Sequence, residues 1–436
     1  MSRLMRSRKL AGRPIRRTFI SKQFQALFVV VFLFEHCLTC VSDDADFQAF
    51  NLKGLRSFCP EGVKVGAFAD AWAINGYRSS PRDSNLEEQF RNLVVREYQI
   101  MTVPWFPFDF HVAPGRYSFT VNGEPLLDKS VDFLMRNGIS WHCLPLVGPN
   151  PIGMQCGYEP KWLADSASKL SPAQLEETLK DRISYFLERY GAKLHSIGVV
   201  NESLSDFSLG QAKSSSDTYR DSFWNRMGLI EDPAGNLHPS YVVKAFEFAR
   251  GQCPSLKLVY NENQVETKSI HTKNSFGTGH KKYSNEKQVR LIRLAKFLKS
   301  RGILDAIGLQ LHLSINENGE LHHFASNHYF EVSSISECIA EIRSVGLEVY
   351  VTELDIGIPS GTPDMLQKQS RAYRDVVSAA IEGGANIIIT WGIIDEDRPN
   401  HWRNGELALP FTSSFAPKPA YDGIKEGLRG RQRPVP

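Results

Sequence analysis

Leu194-His195-Ser196-Ile197-Gly198-Val199-Val200-Asn201-Glu202 is the stretch that decides the fold. Its apolar, β-branched character runs through Val200 and stops at an amide and a carboxylate. Seven similar runs accompany it: Val63–Ala69, Gln99–Trp105, Ile139–Val147, Leu256–Asn261, Ala306–Leu313, Leu347–Glu353 and Asn386–Trp391. Between them lie helical periodicities, such as Leu175, Leu179, Ile183, Phe186 and Leu187 within Pro172–Tyr190, and Val289, Ile292, Leu294, Ala295 and Leu298 within Asn285–Ser300. Continuous apolar strands separated by helices imply a parallel sheet covered on its faces. Eight such units in about 370 residues predict an α/β protein, a single (β/α)8 TIM barrel with long βα loops. A doubly wound open sheet is the competing architecture. Thr267–Ser284, rich in Lys, His and Ser, reads as an exposed loop, and one domain is expected from about Asp46 to Leu428.

Composition agrees with a globular chain. With 436 residues, 42% hydrophobic and 23% charged, the sequence is neither collagen-like, nor a disulfide scaffold, nor disordered. Its formal charge of +3 originates at the amino terminus, where the first 22 residues hold eight Lys/Arg and no acid. The apolar run Phe24–Phe34 that follows is short for a membrane span and right for the core of an export signal. Residues 1–42 are therefore expected to be a signal peptide, cleaved between Thr39 and Asp43, with a secreted or periplasmic domain at 43–436. Arg16-Arg17-Thr18-Phe19 resembles a twin-arginine export motif; ordinary secretion and a retained signal anchor are the alternatives. Without residues 1–42 the chain keeps 43 basic and 47 acidic side chains, a formal charge of −4, so nucleic acid is not an expected partner. Nor is a stable membrane association expected, and a monomer is, since nothing advertises an interface. Cys59, Cys143, Cys156, Cys253 and Cys338 remain, an odd number that leaves at least one thiol free and the pairing of the others open. Small buried hydrophobes are the plainer reading of most of them. No zinc spacing is present, and neither metal nor cofactor is expected.

A barrel of this kind builds its active site at the carboxyl ends of its strands. Two glutamates stand there: Glu202 at the end of the fourth run and Glu353 at the end of the seventh. A carboxylate ending a buried strand is costly unless it is paired, hydrogen-bonded or used. On the same rim fall His142, Asn261, Gln310, His312, Asp355, Trp391 and Asp395, a set suited to hydroxyls and a sugar face. Two carboxyls in one cleft divide the cleavage of a glycosidic bond between proton donor and nucleophile, and a separation of roughly 5 to 5.5 Å gives retained configuration. Taken singly, a glutamate after a strand is more often a salt-bridge member or helix cap than a catalyst.

The words around these residues resemble glycoside hydrolase family 10, the xylanase family, a (β/α)8 barrel. Val199-Val200-Asn201-Glu202 is similar to its acid/base signature and Val351-Thr352-Glu353-Leu354-Asp355-Ile356 to its nucleophile signature. In order along the chain come Gly66-Ala67, Trp141-His142, Tyr260-Asn261-Glu262, Ala306 to His312, Trp391 to Asp395 and Pro417 to Tyr421. The resemblance implies that Glu202 is the general acid/base and Glu353 the nucleophile. It implies too that Asn201 binds the sugar 2-hydroxyl, that His312 orients Glu353 and that Gln310 lies near Glu202. Trp391 and Trp402 would wall the sugar at the cleavage point, and His142 would reach one of its hydroxyls.

The match fails on the glycone side. Where the family presents Glu-Asn-x-x-Lys-Trp after the second strand, this chain has Pro104-Trp105-Phe106-Pro107-Phe108-Asp109. The family's Trp-His appears here as Leu146-Val147, its Arg-Gly as Ser140-Trp141, and the Asp three residues before the acid/base Asn as Gly198. Each hydrogen bond lost to a sugar hydroxyl costs on the order of 1 to 3 kcal/mol if the same sugar is bound. The expectation is a secreted retaining endo-β-1,4-xylanase-like hydrolase that cleaves internal β-1,4 bonds of xylan, or of a related β-linked plant polysaccharide or oligosaccharide, by double displacement. The alternatives are the same mechanism on a decorated or differently linked glycan, held by stacking on Trp105 and Phe106, and a barrel that binds glycans without cutting them.

Overall fold

A computed structural model describes residues 53–76, 83–150, 158–206, 218–273, 280–326, 328–395, 403 and 405–430. The expected signal peptide, Cys156 and Trp402 lie outside the described residues.

Each of the eight apolar runs contains a strand: β1 (Lys64–Phe68), β2 (Ile100–Thr102), β3 (Ser140–Cys143), β4 (Ser196–Asn201), β5 (Lys257–Glu262), β6 (Ala306–Leu309), β7 (Glu348–Gly357) and β8 (Ile387–Thr390). Neighbours in the chain pair in parallel from β1 to β8, and Lys64↔Ile387 to Ala67↔Thr390 joins β8 back to β1. That closing pair excludes the open sheet. Ile100, Val259, Ala306, Tyr350, Ile387 and Ile389 form an apolar cluster distinct from the large core that takes in the helices. Such layers make the barrel interior a packed floor on which a site can rest.

A helix follows each strand: α1 (Ser84–Glu97), α2 (Leu126–Arg136), α3 (Pro172–Tyr190), α4 (Ser240–Gln252), α5 (Glu286–Ser300), α6 (Ser333–Ser344), α7 (Pro363–Gly383) and α8 (Pro419–Leu428). Their ends are written locally. Ser171 and Gln174 form a reciprocal capping box at the start of α3, with Pro172 in its first turn. Helix α7 begins at the Thr362 cap and stops at Gly384, whose φ of 96° belongs to the left-handed region. The α3 stripe Leu175, Leu179, Ile183, Phe186 and Leu187 is buried, as its periodicity predicts.

One local expectation changes. The stretch expected as a loop at Thr267–Ser284 contains an antiparallel pair, Ser269–Lys273 with His280–Ser284, and Ile270 turns into the core. Cys59, Cys143, Cys253 and Cys338 are all free thiols, with Cys143 and Cys338 buried. Burial pushes the Cys143 thiol up to about 12, which makes it an inert hydrophobe. Among the described residues no helix is long and apolar enough to cross a membrane.

Candidate active site

The strand ends bring the two glutamates into one hydrogen-bonded network. Glu353 lies in β7 where its pairing with β8 slips between Val351 and Leu354, and β4 has a similar slip against β5 between Gly198 and Val200. Irregularities of this kind re-aim side chains at barrel rims. Glu202 follows β4 with φ 50°, a left-handed conformation that costs a non-glycine residue about 1 kcal/mol or more and collects at functional sites.

Asn261, in β5, is the hub. Its Nδ2 donates to Glu353 Oε1 at 2.6 Å and to Asn201 Oδ1 at 2.7 Å, while its Oδ1 accepts from Thr352 Oγ1 at 2.6 Å. With three partners the amide has one orientation. Gly308 in β6 makes room for it, since a Cβ there would stand 2.3 Å from Asn261 Oδ1. Gln310 Nε2 donates to Glu202 Oε1 at 2.9 Å and approaches Asn201 Oδ1 at 3.4 Å. Glu202, Gln310, Asn201, Asn261 and Glu353 thus form one chain of contacts.

His312 opens a hairpin, His312–Ile315 with Leu321–His323, that also pairs with the upper part of β7, setting His312 opposite Asp355. One imidazole nitrogen meets Glu353 Oε2 and the other Asp355 Oδ1, each at 3.0 Å. Burial opposes a charge on this ring, but the two carboxylates prevail and push it up to about 10. His312 is therefore an imidazolium that donates from both nitrogens. Behind it the buried Arg403 donates to Asp355 Oδ1 at 2.8 Å, compensating a carboxylate that has no exposure.

The two glutamates have different surroundings. Burial first, and then the charge of Glu202, raise the Glu353 carboxyl against the pull of His312. At Glu202 burial is outweighed by Arg220, whose Nη1 donates to Oε2 at 2.7 Å, and by Gln310, so its carboxyl is held below the usual range. Arg220 also grips Asp206 at 3.0 and 3.1 Å, and Lys287 ties Asp206 at 2.8 Å to Glu262 at 2.9 Å. The side chains of Glu202 and Glu353 keep 17% and 5% of their surface exposed, enough for contact with a ligand. Trp391 follows β8, half-buried, 4.3 Å from Phe68 and edge-on to His312 at 6.0 Å between ring centres. An aromatic wall, a pair of carboxyls in unlike surroundings and fixed amides together suit a sugar at a bond-breaking point.

Three expected residues are placed otherwise. His142 is fully buried and meets Ser196 Oγ at 2.8 Å. The barrel stagger explains it: His142 pairs with Ser196, the first residue of β4, and so lies below the rim that Glu202 reaches. Burial pushes that ring down to about 3, and it stays neutral. Trp105 is 4% exposed and joins the core. A helical turn, Pro107–Phe110, begins just after it, with Asp109 accepting the Phe106 N–H at 3.0 Å. Phe106 and Phe108 are left as a stacked pair 5.2 Å apart, Phe108 about half exposed. Asp395 is bound to Lys418 at 2.7 Å and to the Leu409 N–H at 2.9 Å, a structural anchor. Conversely, sequence reading passed over Arg220, Arg403 and Tyr158, whose Oη accepts from Asn201 Nδ2 at 2.5 Å. None of the three ends a strand.

The family model for glycosyl hydrolase family 10 matches residues 127–427. The chain belongs to that family. It is an endo-1,4-β-xylanase-like glycoside hydrolase, and family members resemble it across most of its length. The endo-1,4-beta-xylanase B of Thermotoga neapolitana is 27% identical over 349 residues, 78% of this chain and 83% of the relative. Xylanase 10B of Thermotoga petrophila, solved in complex with xylobiose, superposes with a TM-score of 0.65 at 25% identity, covering 86% of this chain and 97% of that one. Native xylanase 10B of Thermotoga maritima gives 0.64, also at 25% identity, covering 86% and 98%. The family match starts within α2, beyond the second-strand segment Pro104–Asp109 where this glycosyl hydrolase departs most from its family.

Proposed function

We propose that the protein is a secreted endo-β-1,4-xylanase that cleaves internal bonds of xylan by double displacement with retention. The observation that carries this reading is the unequal treatment of two carboxylates in one network. Glu353 is gripped on both oxygens, by Asn261 and by His312, which fixes a nucleophile's trajectory. Glu202 is tied to Gln310 and Arg220, which hold its carboxyl low, so this side chain, 17% exposed, must take up a proton before it can act as the acid. In the first step Glu353 attacks the anomeric carbon while Glu202 passes its proton to the departing glycosidic oxygen. In the second, Glu202 takes a proton from water, whose oxygen displaces Glu353 from the sugar. Asn201 meets the 2-hydroxyl, and Trp391 packs against the sugar face.

Glu353→Ala should abolish turnover of an activated aryl β-xyloside while the fold persists; unchanged turnover would remove it as nucleophile. Glu202→Ala should slow poor leaving groups far more than good ones, because good ones need little protonation, and an equal loss on both would contradict the acid role. The second reading, the same chemistry on a decorated or differently linked glycan, is favoured by one feature. The stacked pair Phe106 and Phe108 stands where the family's polar grips are missing. Hydrolysis of xylan, arabinoxylan, mixed-linkage glucan and cellulose in parallel separates the two. The basic and then apolar amino terminus supports export of the domain at 43–436.

A further inference from the structure

Tyr158 joins, through Asn201, the network that links Glu202 to Glu353, although no strand end points to it. Its phenolic oxygen is 2.5 Å from Asn201 Nδ2, and that amide's oxygen is already taken by Asn261 and Gln310. Its ring lies against the bare backbone of Gly148, where a Cβ would stand 2.1 Å from Tyr158 Cδ2, and Phe106 is 6.1 Å away between ring centres. The placement is anchored from the next residue. Glu159 is buried and receives both Nη1 and Nη2 of the buried Arg182 at 3.0 and 2.7 Å, with Trp224 Nε1 adding a third bond at 3.1 Å. Val147, whose carbonyl accepts the Asn201 N–H at 3.0 Å, carries no polar side chain.

We propose that Tyr158 is a substrate-binding residue, its hydroxyl donating a hydrogen bond to the 2-hydroxyl of the sugar that Asn201 holds at the cleavage point. The assignment rests on the glycosidase reading above. Accepting from Asn201 leaves the phenol's own proton free for the ligand. Burial, and then the charges of Glu202 and Glu353, raise the phenol well above its ordinary value, so it stays a donor throughout the working range. A 2-hydroxyl set between Asn201 Nδ2 and Tyr158 Oη would accept from both and keep its proton for Glu353.

The test compares the wild-type chain and Tyr158→Phe, which keeps the ring, on an aryl β-xylobioside and on its analogue lacking the 2-hydroxyl at the cleavage point. The variant should lose roughly tenfold in kcat/KM on the parent substrate and less than about twofold on the deoxy analogue. An equal factor on both substrates, or no loss on the parent, overturns the assignment of Tyr158 alone. A wild-type chain that turns over neither substrate overturns the reading of xylosides as its substrates, and this assignment with it.

Discussion

Arg220 sets the charge of Glu202 from one side while Gln310 reaches it from the other. Glu202 must hold a proton to serve as acid, so activity falls as pH rises through its pKa. Removing a cation that holds that pKa down moves the fall upward. Arg220→Gln should therefore shift the alkaline limb of the kcat/KM profile to higher pH; a limb that stays in place, or moves down, contradicts the role given to Arg220. His312 has the opposite sign. Its folded value, raised from 6.5 to about 10, contributes stability that is complete below about 6.5 and lost as pH rises through 10. The melting temperature should fall across that window, and a His312→Gln variant should show a flatter dependence there. Parallel curves would show that the Glu353 and Asp355 contacts do not hold the ring charged.

At the scale of elements, β4 to β7 place the site residues, and β6 does so partly through what it lacks. Gly308→Ala would drive a methyl group into the Asn261 amide and turn it away from Glu353. Catalysis should fall by at least tenfold with the fold kept, measured as kcat on an aryl β-xyloside; wild-type kcat would mean that Asn261 is not the hub. The Glu159–Arg182 pair joins the segment beside β3 to α3. Glu159→Gln leaves a buried guanidinium uncompensated and should cost about 3 to 5 kcal/mol in chemical denaturation, against which a loss below about 1 would count. Elements are also where sequence reading has its strength and its limit. Glu202, Asn261 and Glu353 were legible because each stands at or just past the end of an apolar run, and Gln310 and His312 because they are polar residues in the last part of another. His142 also stands at a strand end, but stagger between neighbouring strands, invisible in one sequence, lowers it below the rim. Tyr158 and Arg220 sit on connections shaped by contacts distant in sequence, so no period or spacing marks them.

Across the whole molecule, closure of the barrel is matched by closure of its helical ring. Glu97 at the end of α1 receives the Leu55 N–H at 2.7 Å and the Tyr421 hydroxyl of α8 at 3.1 Å. Helix α8 meets α7 so closely that a Cβ on Gly423 would stand 2.1 Å from the Ser370 carbonyl oxygen. The same closed body carries the chemistry, since β4 and β7 approach the cleft from different sides and only their joint placement lets Glu202 and Glu353 act on one bond. Trapping tests this most directly. The chain is incubated with a 2-deoxy-2-fluoro xylobioside bearing a dinitrophenyl leaving group, and the labelled peptide is located by mass spectrometry. A single glycosyl ester on Glu353 is the predicted result; an unlabelled protein, or an ester on any other residue, would contradict the account.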